Sequence, residues 1–177
     1  MVSSAAGNIS IVANRSLVQN LVGNIAAGGA GSIEVRSLFG SITMVRNPLS
    51  QTAGGNIRYA AAIDVLLGSL NAAAGSVSVV AVRNIFDNNG AFNNVTSAVL
   101  RLVADSDQDQ AGQVGGPDAA KGAPALTVNA IDTNVGIPAS LTADGTDVYE
   151  AHTVTRHLTA ATTSLTPTDP TSTPTQR

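Results

Sequence analysis

Asp105, Asp107 and Asp109 form an Asp-x-Asp-x-Asp run, the oxygen spacing that calcium-binding loops use. The sixth position of that frame is Gln110 rather than Gly, and the twelfth is Gly116 rather than Glu. The run therefore reads as a solvated acidic loop, with a weak calcium site on Asp105, Asp107 and Asp109 as the alternative. His152 and His157 lie close to Glu150 and are the next metal-capable residues. At that spacing two imidazoles point to opposite faces of a strand and sit about 140° apart on a helix, so they cannot share a metal and read as surface histidines. No phosphate-cradling glycine loop, nucleophile elbow or zinc-helix signature occurs, and no catalytic residue is assigned. The chain contains no cysteine, which excludes disulfides and thiolate chemistry.

The elements that would carry these groups are written in a repeat. Seven copies of Gly-[Asn/Ser]-[Ile/Val/Leu]-x-apolar begin at Gly7, Gly23, Gly31, Gly40, Gly55, Gly68 and Gly75. The aliphatic third position is Ile9, Ile25, Ile33, Ile42, Ile57, Leu70 and Val77; the fifth is Ile11, Ala27, Val35, Met44, Tyr59, Ala72 and Val79. Apolar, variable, apolar is the period-two pattern of a strand with one buried face. The glycine is expected to supply a tight corner or a positive φ, and the Asn or Ser to bond nearby backbone in the turn.

The corners alternate in kind. Gly23, Gly40 and Gly68 follow two bulky apolar residues, whereas Gly7, Gly31, Gly55 and Gly75 follow small ones. Two corners per coil give coils of 24, 24 and 20 residues between the small corners (7 to 31, 31 to 55, 55 to 75). Such a period signals a repeat architecture, here an all-β, right-handed parallel β-helix. An antiparallel sandwich is the alternative, but Phe39, Tyr59 and Phe86 are the sole aromatics of residues 7–90, too few to fill a thick core. In the β-helix, Glu34 and Arg58 would share an outward column about 4.8 Å apart and pair.

Residues 7 to about 90 resemble the Gly-x-Ile-x-Val repeats of the filamentous-haemagglutinin-type adhesins, bacterial surface and two-partner-secreted proteins with a β-helical shaft. The resemblance covers about half of the chain. It implies architecture and an adhesive, structural role, and it transfers no catalytic or ligand residue. This chain is much shorter than that family and shows no recognisable export region at its start. Met1-Val2-Ser3-Ser4 lacks the basic residue of a secretory leader, so the chain is expected to be part of a larger exported protein.

The expected organisation is a β-helix over 1–103, an acidic Gly/Gln-rich linker over 104–124, an irregular β unit over 125–158 and a Thr/Ser/Pro-rich tail over 159–177. The 125–158 unit reads either as further coils or as an Ig-like module, with a hairpin turning at Asp144-Gly145. Gly90-Ala91-Phe92 reads as a degenerate strand. The net charge of −3 and a single lysine, Lys121, give no basic surface for nucleic acid. No apolar run approaches the roughly 18 residues of a membrane span.

The composition and repeat thus point to a non-catalytic, adhesive segment of a secreted or cell-surface protein. Its expected partner is a receptor or glycan on a host or neighbouring cell, with end-to-end self-association as a further expectation. The alternative is a fragment of a β-helical polysaccharide lyase or hydrolase, which would need clustered carboxylates along one sheet. An ice-binding solenoid would need a regular Thr-x-Thr column, and Thr is sparse before residue 127.

Overall fold

The computed structural model describes residues 1–46, 48–107, 112–117, 128–144, 147–148 and 150–152. Every regular element among them is a strand, and the chain winds them into a β-solenoid of about four turns. After β1 (Val2–Ser4), the first coil is β2 (Ile9–Ala13), β3 (Leu17–Gln19) and β4 (Ile25–Ala27). The second is β5 (Ile33–Ser37), β6 (Ile42–Met44) and β7 (Leu49–Thr52); the third is β8 (Ile57–Ala61), β9 (Val65–Leu67) and β10 (Ser69–Asn71). The fourth opens with β11 (Ser76–Ala81) and β12 (Ile85–Asp87) and passes into the long strand β13 (Val95–Val103).

Each coil therefore has three faces, and equivalent strands pair in parallel. On the first face Ile9 aligns with Ile33, Ile57, Val77 and then Leu100, and Ile11 with Val35, Tyr59, Val79 and Leu102. On the second face Leu17, Ile42, Val65 and Ile85 form one file, which continues to Val114 in β14 (Gln113–Val114). On the third, Val2, Ile25, Ser50, Leu70 and Val95 are in register. These inward side chains are buried from the second coil onward and make one continuous core. Burying a single Ile or Leu in it contributes about 1.5–3 kcal/mol.

Two corners were legible in the repeat; the third was not. Gly23 and Gly40 share the bulky type yet serve different faces, since Gly23 leads into β4 on the third face and Gly40 into β6 on the second. The remaining strands of those faces lack the motif: β3 follows Ser16, β7 follows Pro48, β9 follows Asp64 and β12 follows Asn84. Gly90-Ala91-Phe92 is a turn, and Val95–Ser97 supplies the strand expected there.

The motif glycines also act differently from expectation. None of the seven has a positive φ; the left-handed glycines among the described residues are Gly29, Gly90 and Gly115. For Gly31, Gly40, Gly55 and Gly75 the reason is close approach to the backbone of the coil beneath. A Cβ on Gly55 would fall on the carbonyl oxygen of Gly31, and one on Gly75 would fall on that of Gly55. The glycine file ends at Ala98, whose amide donates to the Gly75 carbonyl at 2.9 Å. There β13 shifts register and turns the corner, so Val95–Ser97 closes the third face and Val99–Val103 opens the next first face.

Further rungs follow. Within the stretch expected as a linker, Val114 is fully buried under Ile85. A short antiparallel pair, β15 (Gly116–Pro117) with β16 (Val128–Asn129), stands outside the coil pattern. Strand β17 (Ile131–Asp144) runs parallel to β13, β18 (Asp147–Val148) to β14, and β19 (Glu150–His152) to β17. The hairpin expected at Asp144-Gly145 is replaced by this winding, because Leu141 pairs with Leu100 and Val148 with Val114, both in parallel. The tail, 159–177, lies outside the described residues.

Adjacent glycines separate the two reasons for a glycine. Gly55→Ala is expected to cost about 2 kcal/mol or more in urea unfolding, because backbone must move to admit the methyl. Gly54→Ala, where nothing lies within 4 Å, is expected to stay within about 0.5 kcal/mol of wild type. Equal losses would contradict the close-approach account.

Candidate functional site

Polar side chains at the corners are aimed along the axis. At the corner before the first face, Asn8 Oδ1 accepts the Ser32 amide at 2.9 Å, Ser32 Oγ accepts the Asn56 amide at 3.1 Å, and Asn56 Oδ1 accepts the Ser76 amide at 2.9 Å. Between the first and second faces, Ser16 Oγ, Ser41 Oγ, Asp64 Oδ1 and Asn84 Oδ1 accept the amides of Ser41, Asp64, Asn84 and Gln113 in turn. Before the third face, Asn24 Oδ1 takes the Leu49 amide and Asn94 Oδ1 that of Asp132. Local turn bonding was expected of Asn8, Asn24, Ser32, Ser41 and Asn56, which follow motif glycines. Instead each reaches the next coil, 24 residues away in the first instances and 20 where the coil shortens.

Two ion pairs also bridge coils. Arg58 Nη1 lies 2.7 Å from Glu34 Oε1, as their shared column requires, and Arg83 Nη2 lies 3.1 Å from Asp64 Oδ2. The outward column containing the first pair runs Ser10, Glu34, Arg58, Ser78, Arg101. An exposed pair of this kind contributes roughly 0.2–1 kcal/mol.

Inside the core sits a polar triad that the repeat pattern does not reveal. Tyr59 occupies a file position held by Val35 and Val79 in the adjoining coils. Its hydroxyl meets Ser50 Oγ at 2.7 Å and donates to Gln19 Oε1 at 2.9 Å, and Gln19 Nε2 donates to the Gly23 carbonyl at 2.8 Å. One residue from each face, β8, β3 and β7, thus meets at the centre. Burial pushes the Tyr59 hydroxyl above its ordinary pKa, and the Ser50 bond offsets only part of that. A Tyr at an apolar position of the motif was the only sequence signal, since a buried hydroxyl requires a partner.

A second cluster closes the corner between the second and third faces. Asp87 is 8 % exposed; its carboxylate accepts the Asn89 amide at 2.6 Å, the Gly90 amide at 3.1 Å and Asn94 Nδ2 at 2.7 Å. Asn94, fully buried, also donates to the Leu67 carbonyl at 2.9 Å. On the next coil, partial burial and the Asp87 charge raise the pKa of Asp132. The Arg46 guanidinium lies 5.6 Å from the Phe92 ring centroid at the same corner.

The residues singled out for chemistry lie only partly within the described residues. Asp105 has a left-handed φ of 57° and donates its amide to the Arg83 carbonyl at 3.1 Å, where the chain leaves the first face. Gly112 lies directly against that departure point, where a Cβ would meet the Asp105 backbone and the Arg83 carbonyl. Asp109 lies outside the described residues, as does His157; Glu150 and His152 bound strand β19. Among the described residues no three His, Asp or Glu side chains gather around one point.

The outward surface is apolar at particular corners: Leu21, Val22, Phe39 and Phe92 are exposed. Between the first and second faces, Asn14, Arg15, Ser16, Phe39, Gly40 and Ile63 line a depression of about 280 Å³. Among the described residues, strands β1, β2 and β3 each pair on one side only. Comparison with known proteins finds no matching family model, no matching curated protein and no matching solved structure.

Removing the Tyr59 hydroxyl leaves Gln19 and Ser50 short of a partner in the core. Tyr59→Phe is therefore expected to lower unfolding free energy by about 1–3 kcal/mol, read by urea titration; an unchanged midpoint would show the triad to be dispensable. Asp132 has a folded pKa above its unfolded one, so its contribution is most favourable below the unfolded value. That contribution is lost as pH rises through the raised one. Wild type is expected to lose stability relative to Asp132→Asn as pH climbs from below the ordinary carboxylate range to neutrality, measured by thermal melts across that range.

Proposed function

We propose that this chain is a non-catalytic, structural and adhesive segment of a secreted or surface-displayed β-helical protein. The observation that carries the reading is the direction in which its polar groups are spent. Asn8, Ser32, Asn56, Asp64 and Asn84 all bond to the next coil, and Glu34–Arg58 and Asp64–Arg83 tie coil to coil. These groups are committed to stacking. What projects at the corners is apolar and arginine-bearing, which suits contact with a receptor or glycan on another cell. The unpaired edge of the first coil suits end-to-end association with a further β-coil.

A second reading, a fragment of a polysaccharide lyase or hydrolase, draws support from Asp132, whose pKa is raised by partial burial and by the charge of Asp87. Against it stands the engagement of Asp87 by two backbone amides and Asn94 in closing its own corner.

The two readings differ in what they leave behind. Beads carrying the purified chain are expected to be retained on host or neighbouring cells, while incubation with an acidic polysaccharide releases neither reducing nor unsaturated ends. Release of such ends, abolished by Asp87→Asn, would replace the adhesive reading with the enzymatic one.

A further inference from the structure

We propose that the corner between the first and second faces binds a carboxylated pyranose, a uronic or sialic acid unit of a glycan, with Phe39 as its platform and Arg15 as its charge partner. This deepens the adhesive reading and rests on it.

The platform is built rather than incidental. Phe39 is 73 % exposed, although it belongs to a coil whose inward residues are buried. Its projection is forced from below. A Cβ on Gly40 would collide with the backbone and hydroxyl of Ser16, so the second coil lies flat on the first at this corner. Ser37 Oγ donates to the Arg15 carbonyl at 2.9 Å and accepts the Gly40 amide at 3.1 Å, and the Leu38 amide bonds the Ala13 carbonyl at 2.9 Å. Leu38-Phe39 is thereby clamped at both ends and has no path inward. An aromatic face held open to water on a rigid frame favours a ligand with an apolar face of its own.

The charge partner comes from the coil beneath. Arg15 and Asn14 line the depression beside Phe39. The other polar groups of this corner are already used: Ser16 and Ser41 hold the next coil's amides, and Asp64 holds Arg83 and Asn84. Among the described residues Arg58 and Arg83 are paired with carboxylates and Arg46 lies over Phe92, whereas Arg15, like Arg36 and Arg101, forms no ion pair, and of these three Arg15 alone lines the depression. A guanidinium with an adjacent carboxamide matches a carboxylate flanked by hydroxyls. The depression, about 280 Å³, takes one sugar ring and leaves the rest of a glycan free to run along the surface. A sugar ring presents C–H groups on one face and hydroxyls at its rim, which fits an aromatic floor with polar walls. The one guanidinium lining the depression matches a single carboxylate rather than the closely spaced charges of a polyphosphate backbone.

The test is an NMR titration of the purified chain with trigalacturonate, with 3′-sialyllactose and with lactose as the neutral control. At least one acidic probe is expected to shift the amides of residues 14–16 and 38–40, with lactose about tenfold weaker or worse. Arg15→Gln, Phe39→Ala and Phe39→Leu are each expected to weaken the acidic probe about tenfold, with unchanged thermal melts since both side chains are exposed. Which acidic probe binds identifies the sugar class. The proposal is overturned if neither acidic probe binds, if lactose binds as well as they do, or if the folded variants bind as wild type. Cell retention that persists without any sugar binding would remove this site and leave the adhesive reading standing. Acidic-sugar binding without cell retention would do the reverse.

Discussion

A coil of this solenoid cannot satisfy its own backbone. Its three short strands point their amides and carbonyls up and down the axis, so each depends on the coil above and the coil below. The corners would break that continuity, since a turning chain aims some amides away from any strand. The side-chain ladders repair it: Asn8 to Ser32, Ser32 to Asn56 and Asn56 to Ser76 carry axial bonding through the place where the sheet stops. The stacked glycines perform the matching steric task, letting Gly31, Gly55 and Gly75 approach the carbonyl beneath them. Coil spacing, core register and corner geometry all follow from this single axial contact.

The same constraint explains what the sequence discloses. The first face was legible to the residue, because Ile9, Ile33, Ile57 and Val77 sit behind a glycine that the stacking demands. The second and third faces were only half legible. Their corners are held by Ser16, Ser41, Asp64 and Asn84, or entered through Pro48, and these residues share an oxygen acceptor or a bend rather than one recognisable letter. A column of Ser, Asp and Asn looks like ordinary turn composition until the coil lengths align it. The Glu34–Arg58 bridge was readable because both residues sit at the variable position of a glycine-led strand. The depression beside Phe39 was not, since it gathers residues from three coils and depends on how flatly Gly40 lies on Ser16.

The interior shows the same division between pattern and particular. An aliphatic file tolerates one member for another, and the register would survive such exchanges. Tyr59, Gln19 and Ser50 form the exception, because each satisfies a polar atom of another and each comes from a different face. Sliding one face by a single coil would strand a hydroxyl or a carboxamide in hydrocarbon, at a cost well above that of an imperfect aliphatic fit. The triad therefore distinguishes the three columns at one defined height, where the surrounding Ile and Val do not. Asn94 serves a similar purpose at the fourth coil, holding the Leu67 carbonyl below and Asp132 above.

Because every rung bonds parallel to the long axis, tension applied between the two ends would load the rungs in series. The backbone and the corner acceptors of one coil would give way together, and each release would free a coil of 24 residues in the regular part, roughly 80 Å of contour. A shaft made this way is a stepwise extensible tether, weakest wherever a coil carries the fewest corner acceptors.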